Sequence, residues 1–67
     1  MCLKINIAKI RYDKNISVRK LSLLSGVSRT TINDIENGKR YPNIKHLHDI
    51  AKALNIRISD LYDSPYK

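Results

Sequence analysis

Apolar residues recur every three to four positions along most of this chain, separated by short polar breaks. Ile7 and Ile10, preceded by Leu3 and interleaved with Lys4, Lys9 and Arg11, predict a first helix over about residues 5–14, stopped at Asn15. Ser17 offers a hydroxyl as the N-cap of a second helix whose Leu21 and Leu24 are expected to face inward. Gly26 permits the positive φ of a sharp break, and apolar Val27 is placed to plug the joint. Ser28 then caps a third helix, residues 28–37, with Ile32 and Ile35 inward and Asn37-Gly38 closing it. After the basic loop Lys39 to Pro42, Asn43 caps a fourth helix with Ile44, Leu47, Ile50, Ala51 and Leu54 at core spacing. A last helical turn is expected around Ser59–Asp63. The pattern predicts an all-α, compact five-helix domain over residues 1–67, with its core at about 5–63 and a flexible tail at 64–67.

Composition agrees with a small helical core. There is no Phe or Trp, all four aromatics are Tyr, and two Gly and two Pro are too few for many strand turns. A chain of 67 residues is expected to form one domain without a second, ligand-sensing module. Its formal charge is +7, and the distribution sharpens the picture. Residues 1–40 hold nine Lys/Arg against Asp13, Asp34 and Glu36, whereas residues 41–67 hold four against three. The positive field lies on the half containing the Gly26 hinge, which implies a polyanionic partner. One cysteine, Cys2, excludes an internal disulfide, and no apolar run nears the ~20 residues of a membrane span. The expected location is the cytoplasm.

The third helix carries the informative chemistry. At helical spacing, Arg29, Thr30, Asn33 and Asn37 share one arc roughly opposite Ile32 and Ile35. Arg can fork onto guanine O6 and N7, Asn onto adenine N6 and N7, and the Thr methyl can meet a thymine methyl. Asp34 at the edge of the arc is a candidate selectivity element, accepting from cytosine N4. The base-reading set is therefore Arg29, Thr30, Asn33 and Asp34. Helix N-termini at Ser17 and Ser28, with Arg19, Lys20, Asn37, Lys39 and Arg40, are candidate phosphate anchors, which give affinity and register but not sequence preference. A solvated helix face is the plainer reading of such residues, but such faces favour Lys and Glu, which this arc lacks.

These residues resemble a known family. The runs IRYDKNIS, L21-S22 with G26-V27-S28, TINDIENGKRYP and IAKALNIRISDLY are similar to the helix-turn-helix domain of phage repressor and Cro proteins and their small bacterial (XRE-like) relatives. The resemblance runs from Ile10 to Tyr62, its tightest part being Gly26-Val27-Ser28-Arg29 followed by Ile32, Ile35-Glu36, Gly38 and Pro42. It implies a lambda-repressor-like fold in which helices two and three bind double-stranded DNA, as a homodimer on a palindromic operator. It also implies that Arg11 pairs with Glu36 while reaching a phosphate, with Gly26, Gly38 and Glu36 structural. The chain departs at Val18, where the family usually has Gln, at Ser22, where it usually has Ala, and at Leu23, a usually polar position.

Other chemistry is weak. His46 and His48 lie two apart, about 200° around a helix, and cannot share a metal unaided. Cys2 has no neighbouring base, and there is no Gly-rich phosphate loop, so neither an enzyme nor a cofactor is expected. Ile56, Ile58, Leu61, Tyr62 and Tyr66 exceed what one short helix buries; part finishes the core and the remainder forms the expected dimer interface. The resulting expectation is a sequence-specific transcriptional regulator, a repressor. The alternative is the antitoxin of a toxin–antitoxin pair, which would add a protein partner to the DNA.

Overall fold

The computed structural model describes residues 4–64. In chain order its elements are β1 (Lys4–Ile5), α1 (Ile7–Asp13), α2 (Val18–Ser25), α3 (Arg29–Glu36), α4 (Ile44–Leu54), a 3-10 turn (Ile58–Leu61) and β2 (Tyr62–Asp63). The boundaries follow the local chemistry. Ser17, Ser28 and Asn43 each accept a hydrogen bond from the backbone N–H three residues on, capping α2, α3 and α4. Asn15 takes a left-handed conformation (φ 57°) after α1, and Asn55 does the same (φ 58°) after α4.

The core is aliphatic. Ile7, Leu21, Ile32, Ile35, Ile50, Leu54 and Leu61 are almost wholly buried, with Val27 and Ala51 beside them. Each large aliphatic in that set contributes about 1.5–3 kcal/mol by leaving water. α2 packs on both α3 and α4, so α4 supports the helix-turn-helix pair through α2.

Three expectations need correction. The described residues contain four α-helices, one 3-10 turn and a two-stranded antiparallel ribbon, not five helices alone. Lys4 pairs with Asp63 and Ile5 with Tyr62, drawing the chain's first and last described segments together. Asn6 reinforces the junction: its backbone N–H donates to the Leu61 carbonyl at 2.7 Å and its amide to an Asp63 carboxylate oxygen at 3.2 Å. Residues 62 and 63 are therefore extended where a helical turn was expected. Secondly, Leu24 is half exposed, because α2 turns the buried Leu21 and half-buried Val18, Ser22 and Ser25 toward its neighbours. Thirdly, Ile44 is 73% exposed: α4 buries Ile50, Ala51 and Leu54, and its first turn lies beyond the core. Leu3 and the tail from Pro65 lie outside the described residues.

Candidate nucleic-acid interface

The hinge between α2 and α3 is built from small local contacts. Gly26 closes α2 at φ 78°, its N–H donating to the Ser22 carbonyl at 2.9 Å. A Cβ at this position would meet nothing within 4 Å, so the glycine is required by its backbone angle and not by crowding. The Ser25 hydroxyl accepts the Val27 N–H at 3.1 Å, and the Val27 side chain fills the joint at 6% exposure. Immediately after it, Ser28 accepts the Thr31 N–H at 3.1 Å and donates its own proton to Thr31 Oγ1 at 2.8 Å.

With both ends fixed, α3 offers an open polar face. Arg29, Thr30, Asn33 and Asn37 are exposed, and their side chains make no hydrogen bond among the described residues. Asp34 is half-buried at the side of the face. Ser17, Arg19 and Lys20 stand exposed at the start of α2, and Lys39 and Arg40 just beyond α3. Gly38 (φ 76°) folds the loop back, with its N–H on the Ile35 carbonyl at 3.2 Å and the Lys39 N–H on the Asp34 carbonyl at 2.8 Å. Arg40 Nη1 then reaches Thr31 Oγ1 at 3.4 Å. Sequence reasoning passed over Thr31; its place three residues after the Ser28 cap is the signal that marks it.

Behind this face lies an ion pair. Arg11 Nε and Nη2 donate to Glu36 Oε2 and Oε1 at 3.0 and 3.1 Å, and Nη1 donates to the Ile16 carbonyl at 3.1 Å. The Arg11 guanidinium carbon sits 4.5 Å from the centre of the Tyr12 ring. The hydrogen bond to Glu36 raises the guanidinium pKa above its ordinary value, against the opposing effect of burial. Arg11 is 6% exposed, so the guanidinium expected to reach a phosphate is turned into the protein and holds α1 to the end of α3.

The residues expected at a dimer interface divide. Leu61 is fully buried and belongs to the core, out of a partner's reach. Ile56, Ile58 and Tyr62 are half-buried, and Tyr66 lies outside the described residues. Ile58 and Tyr62 line a shallow apolar depression with Ile5, Pro42, Ile44 and Leu47. His48 turns to Asp49 at 3.2 Å, whereas His46 keeps its Nδ1 buried without a hydrogen-bond partner, so the two rings do not converge.

Residues 7–61, from the start of α1 to the end of the 3-10 turn, match the helix-turn-helix (HTH_3) family model. The chain belongs to that family. It is 38% identical over 58 residues to the control protein C.BamHI of Bacillus amyloliquefaciens, covering 85% of this chain and 72% of that one. It is also 35% identical over 51 residues to the ImmF control region 10 kDa protein of Bacillus phage phi105, covering 76% of this chain and 57% of the phage protein. Among solved structures, the restriction-modification controller protein C.AhdI of Aeromonas hydrophila superposes with a TM-score of 0.79 at 27% identity, over 82% of this chain and 83% of that one. The chain's relatives include proteins named as control proteins and an HTH-type transcriptional regulator, PuuR of Escherichia coli, 30% identical over 61 residues. No helix among the described residues is long and apolar enough to cross a membrane.

Proposed function

We propose that this protein is a sequence-specific regulator of transcription that places α3 in the major groove of a palindromic operator as a homodimer, and represses from that site. The observation that carries the reading is the face of α3. Its guanidinium, hydroxyl and amide are exposed and unengaged, and they stand on a helix fixed at both ends. Free groups of these types match the donor, acceptor and methyl patterns of base edges, and no internal bond must break before they engage. Arg29, Thr30, Asn33 and Asp34 read bases; the capped N-termini at Ser17 and Ser28, with Arg19, Lys20, Asn37, Lys39 and Arg40, grip phosphates.

The dimer follows from the same reading. A two-fold operator asks for two copies of α3 one helical turn apart. The apolar depression lined by Ile5, Pro42, Ile44, Leu47, Ile58 and Tyr62 is the surface we assign to contact with a second copy of this chain. Kinship with a restriction-modification controller protein, a control protein and a phage protein of the ImmF control region supports a controlling role.

Selection from a randomised duplex pool, with sequencing of the bound fraction, tests the proposal. A two-fold symmetric consensus is expected. An asymmetric half-site would remove the dimer, and binding without any consensus would remove base reading by α3.

A further inference from the structure

The chain has six asparagines, and five of them precede Ile or Asp: Asn6, Asn15, Asn33, Asn43 and Asn55. Asn37 alone precedes glycine. That distinction matters chemically, because a glycine nitrogen, with no Cβ beside it, can close on the carboxamide carbon of the residue before it, whereas a β-branched neighbour blocks the approach. The carboxamide of Asn37 is also accessible. Both Asn37 and Gly38 are exposed, a Cβ at Gly38 would meet nothing within 4 Å, and the Asn37 carboxamide makes no hydrogen bond among the described residues. By contrast, the amide of Asn6 holds Asp63 and the side-chain oxygen of Asn43 caps α4.

We propose that Asn37–Gly38 is a site of spontaneous covalent modification, at which deamidation converts the end of α3 from neutral to anionic and loosens the protein's hold on DNA. The Gly38 amide nitrogen gives up its proton and attacks Cγ of Asn37. The bond from Cγ to Nδ2 breaks, and the nitrogen departs as ammonia. Water then opens the five-membered succinimide at one carbonyl or the other, leaving aspartate or isoaspartate at position 37. Amide plus water gives acid plus ammonia, with no oxidant or other reactant.

The fold sets the pace of this reaction. Asn37 sits at ψ 4°, which points the Gly38 nitrogen toward its own backbone nitrogen and away from its side chain. Attack requires the last turn to open, breaking the bonds from Gly38 N–H to Ile35 and from Lys39 N–H to Asp34. Whatever clamps that turn slows the chemistry, and a phosphate held by Asn37, Lys39 and Arg40 is such a clamp. The product carboxylate sits at the negative end of the α3 dipole and beside those two cations, where it repels the phosphate. The effect on DNA rests on the function proposed above; the covalent change does not.

The test ages the full chain at neutral pH and physiological temperature, alone and with excess random-sequence duplex, then maps each asparagine by peptide mass spectrometry. Conversion at Asn37 ahead of the other five, slowed by duplex and abolished in Asn37→Gln, is expected. Aged protein and Asn37→Asp should both show a log K against log salt slope shallower by about 0.9 for each phosphate no longer neutralised. Asn37 left intact, or conversion spread evenly over all six asparagines, overturns the site. Conversion without a change in slope overturns its consequence for DNA. Fresh protein that ignores duplex while Asn37 still converts keeps the modification site and refutes the DNA reading instead.

Discussion

Arg11 and Glu36, twenty-five positions apart, meet in a two-pronged ion pair at 3.0 and 3.1 Å with side chains 8% and 9% exposed. The pair fastens α1 to the last turn of α3, and a third Arg11 bond to the Ile16 carbonyl adds the α1–α2 loop. Removing only one partner strands a charge in a site that water reaches poorly. Glu36→Ala should therefore cost about 3 kcal/mol of stability. The double variant Arg11→Met with Glu36→Leu should recover most of that loss, since it strands no charge and gives up only the bond to the Ile16 carbonyl. Urea unfolding of the single and double variants measures both, and a double variant as unstable as Glu36→Ala would contradict the account.

Arg29 and Lys39 should fail in different ways. Arg29 opens α3 with its guanidinium free, so Arg29→Ala should cost about 1–3 kcal/mol on the selected operator and relax the sequence preference at one position of each half-site. Lys39→Ala should weaken binding to all sequences alike and reduce the salt slope by about 0.9 for each phosphate that Lys39 neutralises. Titrations on operator and random duplex at several salt concentrations separate the two.

Ile44 is exposed at the edge of an apolar depression. A charge there disturbs little within the protomer, so Ile44→Glu should change stability by no more than about 0.5 kcal/mol beyond what the proposed dimer would supply. It should abolish self-association in sedimentation equilibrium. Retention of the dimer in this variant would put the interface on another face.

Asp49 gives the protein an acid-sensitive feature. Hydrogen bonds from Lys45 and then His48 lower its pKa from the ordinary aspartate value. A carboxyl with a depressed folded-state pKa contributes stability above its unfolded pKa and loses it as pH falls through the folded one. Lys45 is largely exposed, so the contribution is small. Melting temperature followed across the acid range should fall less steeply in Asp49→Asn than in the unaltered chain, and parallel curves would remove Asp49 from the acid response.

The residues that make the helix-turn-helix pair were legible in the sequence because their reasons are local. A serine hydroxyl capping a nitrogen three residues on, or a glycine at positive φ, involves only its neighbours, so Ser17, Gly26, Ser28 and Gly38 announce their roles. The exposed arc of α3 follows from helical period once Ile32 and Ile35 are known to be inward.

Only the tertiary structure decided how the ends of those helices meet the rest of the chain. The pairing of Lys4 with Asp63 joins segments fifty-nine positions apart in two-residue strands, too short to leave a periodic signal. Leu24 and Ile44 match core spacing yet face outward, because helix period marks a face and cannot say where the neighbouring helix stops. The resemblance to a family suggested the partner of Arg11, but its burial and its bond to Ile16 depend on how α1, α2 and α3 converge. Local chemistry determined the hinge and the polar face of α3; packing between distant segments decided which side chains remain exposed.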